Sequence, residues 1–452
     1  VSTRLSRALA ALLLTGWLAA TSAPLADEAP WTAHNAAGIA AAAERDWQAA
    51  DVAFRAALDA LAAEESTTAP PVDRVADDDA RVAVVAGNLA VVLLEQGETA
   101  EARRLFERAL AIRRAVFGAR DPAIAESLNN LAELERRTGN LQRARTLHEA
   151  ALGVRREALD DGHPDIAESL NNLGVLLRDQ GDLDAATMAL GEAYALRRER
   201  LGETHSLTLE SAGNLATVAL EQGDLATAEA VLRATVEAEP QNETPAHILR
   251  KTVDVYLLQG AVDDAVLLCE AHVVESSTTF ADALAGAELV AACARAFGRV
   301  GGEARAVTLL ESHLDGLAEP TPLVEAELRW GLAETATSTG ELAAAEASLD
   351  DVVELLRDAG DPRLPTALNN RASVKFERGR PLEAASDLEA TLAILDDPER
   401  PADPELLHDV LANYAIVLRA LDRNSAALEV ENRLIEIVTE AGDEAIAPAA
   451  GD

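Results

Sequence analysis

"ESLNNLAELERRTG" (Glu126–Gly139) and "ESLNNLGVLLRDQG" (Glu168–Gly181) are nearly the same fourteen residues, written 42 positions apart. The duplication continues in both directions. Asn88, Asn130, Asn172 and Asn214 keep the 42-residue interval, as do Leu89, Leu131, Leu173 and Leu215. So do Gly97, Gly139, Gly181 and Gly223, and Ala102, Ala144, Ala186 and Ala228. Four columns in register over four copies mark an internal repeat, which dictates the fold before any local reading does. A looser form carries the Gly and Ala columns onward through Gly260/Ala265, Gly301/Ala306, Gly340/Ala345 and Gly379/Ala384. Arg45 and Asp422 stand in the Gly slot of the first and last copies, ahead of Ala50 and Ala427, which makes ten units.

Each column has a physical reason. Leu128, Leu131 and Leu134 recur at helical spacing and give the first helix an apolar face. Gly139 ends that helix, because glycine enters the left-handed C-cap conformation without cost. "NLQRARTLHEAALGVRREAL" (Asn140–Leu159) reads as a second helix, with Ala144 small where the two helices cross and Leu147, Ala151 and Leu152 on its buried side. Pro164 starts the next helix. A hairpin of this kind cannot bury its apolar face alone, so stacking must do it. The expected fold is therefore all-α, an α-α superhelix (solenoid) of about ten helix-turn-helix repeats over residues 34–440. A loop insertion is expected at 62–79, a loose boundary near 240–245, and a disordered acidic tail at 441–452. The composition agrees: 49% of residues are hydrophobic but only 3% aromatic, so the core must be built from Ala, Leu and Val.

The order Leu, small residue, Gly, Ala, Ala on a helix pair resembles the tetratricopeptide repeat. The 42-residue form, with "HPDIAESLNNLGVLLRDQGDLDAA" (His163–Ala186), is similar to its kinesin-light-chain-type subfamily. The resemblance implies a non-catalytic scaffold that binds a protein or peptide along a concave groove lined by the first helices. It also implies that the Asn before the column Leu meets a bound peptide's backbone. Here those residues are Asn88, Asn130, Asn172, Asn214, Asn370 and Asn413. An amide both donates and accepts, so it can pair with any backbone. The alternative is that these asparagines join neighbouring repeats. The units between lack the residue: Lys251, Ala292 and Gly331 stand there.

Acids at Glu126, Glu168 and Glu210 should share that face, opposed by Arg137 and Arg178, which favours a basic or neutral extended segment. The formal net charge of −39 argues against nucleic acid as a partner. Two other functions fit the same repeats, a regulatory or sensor arm of an enzyme on a separate chain and a structural part of an envelope assembly. No cofactor, metal or catalytic group is expected. The sequence has no G-x-x-x-x-G-K-[ST], H-E-x-x-H or G-x-S-x-G, and His163 and His205 fit turn geometry.

Residues 1–26 have the layout of an export signal. Arg4 and Arg7 precede the 13-residue apolar run "ALAALLLTGWLAA" (Ala8–Ala20), which is too short to span a bilayer. A short exposed leader, 27–33, follows. The mature protein is expected in the periplasm or outside the cell, with no membrane insertion. Cys269 falls in the column of Phe106, Leu190 and Leu232, and Cys293 in that of Leu131 and Leu173. Both are core slots on helices that should touch, and they hold either buried thiols or a disulfide.

Overall fold

The computed structural model describes residues 30–67, 80–238, 244–273, 282–317, 320–397 and 403–446. The export signal, the distal part of the expected loop insertion and the last six residues lie outside these. Among the described residues there are twenty helices and no strand. They pair as ten hairpins: α1 (Pro30–Ala43) with α2 (Trp47–Thr67), α3 (Ala80–Glu95) with α4 (Thr99–Phe117), α5 (Pro122–Arg137) with α6 (Leu141–Ala158), α7 (Pro164–Asp179) with α8 (Leu183–Leu201), and α9 (Ser206–Glu221) with α10 (Leu225–Ala238). The second half continues with α11 (Ala246–Gln259) and α12 (Val262–His272), α13 (Ala283–Arg299) and α14 (Glu303–Asp315), α15 (Pro322–Thr339) and α16 (Leu342–Asp358), α17 (Leu364–Glu377) and α18 (Pro381–Leu395), and α19 (Pro404–Ala420) and α20 (Asn424–Ile446). This is the all-α, repeated-hairpin architecture of the α-α superhelix class.

The residues that mark the repeat also fold it. All eight Gly-slot glycines, Gly97 through Gly379, have φ between 74° and 85°. In the outermost copies Arg45 and Asp422 are forced into the same left-handed conformation at φ 61°, which costs a side-chain-bearing residue about 1 kcal/mol. All ten column alanines, from Ala50 to Ala427, are 0% exposed, because each sits where a hairpin's two helices touch. Several helix starts are capped by polar side chains. Asp121 accepts from the Ala123 amide at 2.9 Å, and His163 and His205 accept from Asp165 and Leu207 at 3.2 Å through Nδ1. Those two histidines are thus N-caps.

Several boundaries differ from expectation. The first helix begins at Pro30 rather than at 34. Helix α2 runs six residues into the expected loop, since "LAAEEST" keeps helix-forming residues up to Thr67, and α20 runs to Ile446, six residues into the expected tail. The chain divides into two compact units, one ending at Val231 and the other starting at Leu232, some ten residues before the expected loose boundary.

Candidate functional site

The paired asparagines have two different jobs. The first of each pair faces inward: Asn129, Asn171 and Asn369 are 3%, 0% and 8% exposed. Its amide bridges to the following repeat. Asn214 donates to Asn171 Oδ1 at 3.1 Å, Asn413 to Asn369 Oδ1 at 3.0 Å and, from the first hairpin onward, Asn88 to Asn35 Oδ1 at 3.2 Å. Three of the six asparagines expected to meet a ligand are therefore latched onto the preceding repeat. Asn214 is also buried, which removes it from the candidate set.

Asn130, Asn172 and Asn370 are half-buried and carry no side-chain hydrogen bond among the described residues. In five of the six cases the state follows the residue ten before the preceding Gly slot. Asn35, Asn171 and Asn369 stand there when the next amide is latched. Gly87 stands there ahead of Asn130, and Trp330 ahead of Asn370. Asn172 has Asn129 in that slot and is nevertheless open; the Asn129 side-chain carbonyl makes a different contact. His148 Nδ1 lies 2.9 Å from it, while the Asn129 amide donates to Ser169 Oγ at 3.3 Å. His148, on the helix just before that of Asn172, stands in the slot that holds Phe106 and Leu190 in the adjoining repeats.

The acids expected on this face are paired from below. Arg155, 4% exposed at the end of α6, donates to the Asp165 carbonyl at 2.7 Å, Ser169 Oγ at 2.9 Å and Glu168 at 3.2 Å. Arg113 repeats the arrangement with the Ala123 carbonyl, Ser127 and Glu126, and Arg197 with the Leu207 carbonyl, Ser211 and Glu210. The "ES" of the repeat is thus the receiving half of a buried guanidinium clamp between consecutive hairpins. Burial raises the Glu210 carboxyl above its ordinary pKa, opposed by Arg197 and by the amide of Asn171. The clamp was readable: Arg113, Arg155 and Arg197 also keep the 42-residue interval.

The expected basic partners are likewise committed. Arg137 pairs with Glu95 at 2.5 Å and reaches the Leu94 carbonyl. Arg178 pairs with Asp179 at 3.0 Å. Arg136 binds Glu133 through two nitrogens, at 2.8 and 2.9 Å, and Asp179 at 2.5 Å. These contacts keep Arg136 charged despite its burial. With Glu133 and Arg136 of this ion cluster, Asn129, Asn130, Asn172, His148 and Val175 line a partly open pocket of about 20 Å³. Asn130 Oδ1 is buried without a hydrogen-bond partner. The site is charge-balanced: residues 101–200 carry 16 arginines against 17 acids in a chain of net charge −39.

Burial, with Arg136 and Arg155 nearby, lowers the His148 pKa from 6.5 to about 3. The unfolded chain takes up a proton between those values and the folded chain does not. Stability is then full above about pH 6.5 and falls as the pH drops towards 3. At about 1.4 kcal/mol per unit, acidifying from pH 6.5 to 4.5 should cost wild type about 2–3 kcal/mol. His148→Phe, which copies the residue at 106, should lose that part of the acid sensitivity in urea titrations run at both pH values.

The second unit fills the corresponding face differently. Where three residues follow the missing asparagines, Arg295 lies 3.5 Å from both Asp254 and Glu334, an ion ladder across three repeats. Cys269 and Cys293 are joined in a disulfide between α12 and α13, with Cα atoms 5.6 Å apart. Among the described residues no cluster of His, Cys, Asp or Glu could hold a metal ion. None of their helices is long and apolar enough to cross a membrane.

Family models described as tetratricopeptide repeat match residues 81–157, 124–199, 165–241 and 214–278. These are tetratricopeptide repeats. No curated protein matches the chain. Among solved structures, the chain is similar to kinesin light chain nearly identical TPR-like repeats of Podosopora anserina, at 22% identity over 42% of this chain and 93% of that one, with a TM-score of 0.39. It is also similar to a tetratricopeptide repeat protein from Parabacteroides merdae (17% identity, 60% and 93% covered, TM-score 0.40). A third similarity is to pilF of Pseudomonas aeruginosa (17%, 53% and 90%, TM-score 0.37). Tetratricopeptide repeats suggest a protein–protein interaction scaffold.

Proposed function

We propose that the first unit is a non-catalytic scaffold whose first-helix face, between Asn130 and Asn172, holds an extended segment of a partner protein. The observation that carries this is the pair of open amides in adjacent repeats, where neighbouring amides are latched. An open amide can donate to and accept from a peptide backbone, so it reads the path of a chain rather than its side chains. The segment is neutral or basic: paired acids leave the site itself balanced, and the net charge of −39 disfavours an acidic segment at longer range. We place the protein outside the cytoplasm. The signal-like layout of residues 1–26 supports this, and so does the disulfide, a bond that persists in oxidising compartments.

The test is capture of arrayed unstructured peptides by wild type and by Asn130→Ala/Asn172→Ala. Two lost backbone hydrogen bonds, at about 1 kcal/mol each, should weaken capture by about thirtyfold. The melting temperature should hold, because neither amide gives up an internal partner. Capture unchanged by the double variant would refute the reading.

A further inference from the structure

Residues 103–120 carry six arginines and one acid, Glu107, in a chain of net charge −39. Two of the six belong to the fold: Arg113 is buried in the clamp described above, and Arg103 pairs with the buried carboxylate of Glu135. Arg104, Arg108, Arg114 and Arg120 are exposed, on α4 and just beyond its end. The repeat does not call for the first two. Thr146 and Met188 follow in the column of Arg104, and Ala150 and Glu192 in that of Arg108. Arg114 does recur, as Arg156 and Arg198, but those pair with Glu192 and Glu203. Ala150 and Ala119 stand in the corresponding slots for Arg114, which makes no side-chain hydrogen bond or ion pair among the described residues. The nearest acids do not neutralise this side of the helix. Glu101 is held by Arg55 at 3.1 Å and Glu107 by Arg143 at 3.4 Å. Beside Arg114, Val116 and Phe117 are 40% and 45% exposed. Arginine and aromatic residues together are what protein interfaces are enriched in.

We propose that this side of α4 docks a short acidic segment of a partner protein, with an apolar side chain of that segment against Phe117. The patch is on a second helix, whereas the open asparagines are on first helices, so this site stands apart from the proposed function. Its length selects the ligand. Arg104 and Arg114 are ten residues apart on one helix, about 15 Å along the axis, which four or five extended residues span. At physiological ionic strength charges more than about 8 Å away are largely screened. A short segment therefore meets the arginines rather than the net −39. A nucleic acid or an anionic lipid surface carries its charge beyond the patch. It would meet Asp51 and Asp59 on α2 and Glu149 and Glu157 on α6, the helices that Arg55–Glu101 and Arg143–Glu107 tie to α4.

The experiment uses the full chain and a fluorescent peptide of glutamates ending in one leucine, followed by anisotropy. Wild type should bind it. Arg104→Glu/Arg114→Glu should weaken binding at least about tenfold, since two exposed attractions become two repulsions. Its melting temperature should hold, because neither arginine gives up an internal ion pair. Arg357→Glu/Arg423→Glu makes the same change of net charge in the second unit and should leave binding within about twofold. Replacing the peptide's leucine by glycine should weaken binding to wild type and make no difference to Phe117→Ala. No binding by wild type, equal losses in the two charge-reversed variants, or a leucine preference that survives Phe117→Ala would overturn the proposal. So would tighter binding of oligothymidylate or of phosphatidylglycerol vesicles than of the peptide. Tighter peptide binding by Asp77→Asn/Asp78→Asn/Asp79→Asn would make the chain's own acids the occupant and would overturn it too. Capture of neutral peptides through Asn130 and Asn172 should be unaffected by Arg104→Glu/Arg114→Glu, so either site can fail without the other.

Discussion

Arg155→Ala should cost the first unit about 3 kcal/mol, while Arg156→Ala, one residue on, should cost less than about 1 kcal/mol. The two arginines share a helix and a charge but not an environment. Arg155 is 4% exposed and donates to a carbonyl, a hydroxyl and a carboxylate of the next hairpin. Hydrogen bonds from a charged donor contribute about 1.5–3 kcal/mol each. Truncation also leaves Ser169 Oγ and the Asp165 carbonyl short of a donor. The total stays near 3 kcal/mol because the Glu168 side chain is 36% exposed and water takes over part of its solvation. Arg156 pairs with Glu192 with both side chains about half exposed, and such pairs contribute little. Calorimetry should show the first unit melting several degrees lower in Arg155→Ala and near its normal temperature in Arg156→Ala. Equal losses would mean that the clamp does not join the hairpins.

The disulfide should have an effect of similar size in the other unit. It joins two core positions, 1% and 0% exposed, across a separation of 24 residues. Closing a loop of that length removes chain entropy from the unfolded state, worth about 3 kcal/mol in the entropic model. Cys269→Ala/Cys293→Ala should lower the stability of the second unit by about that amount and leave the first unit unchanged. Wild type unfolded and refolded under strong reductant should match the double variant. The variant itself should not respond to reductant. If reductant lowers both proteins equally, the bond is not the source of the difference.

How much of this was legible in the sequence follows from what each residue needs. The hairpins, the turn glycines and the crossing alanines are demanded by local backbone geometry and by one close contact. They show as columns, and even Arg45 and Asp422 could be placed by register alone. The latching of an asparagine depends on the residue opposite it in another repeat, so identical letters at Asn130 and Asn214 have different fates. Asn172 stands open although an asparagine, Asn129, occupies the slot that latches Asn214 one repeat later. The glutamates of the "ES" pairs show the same limit. Their column suggested an acidic groove, but the guanidinium that neutralises each one lies fourteen or so residues earlier, on a different helix. Gly174, which replaces the alanine of its column, is another case: a Cβ there would lie 2.5 Å from Leu190 Cγ. That exchange is visible only once the two side chains are seen to meet.

The most direct measurement is the NMR response of the asparagine side-chain amides when a peptide captured from the array is added. The open amides of Asn130 and Asn172 should shift, and the latched amides of Asn88 and Asn214 should stay in place. Shifts of equal size at all four positions, or none at Asn130 and Asn172 while the peptide is bound, would contradict the division into open and latched amides.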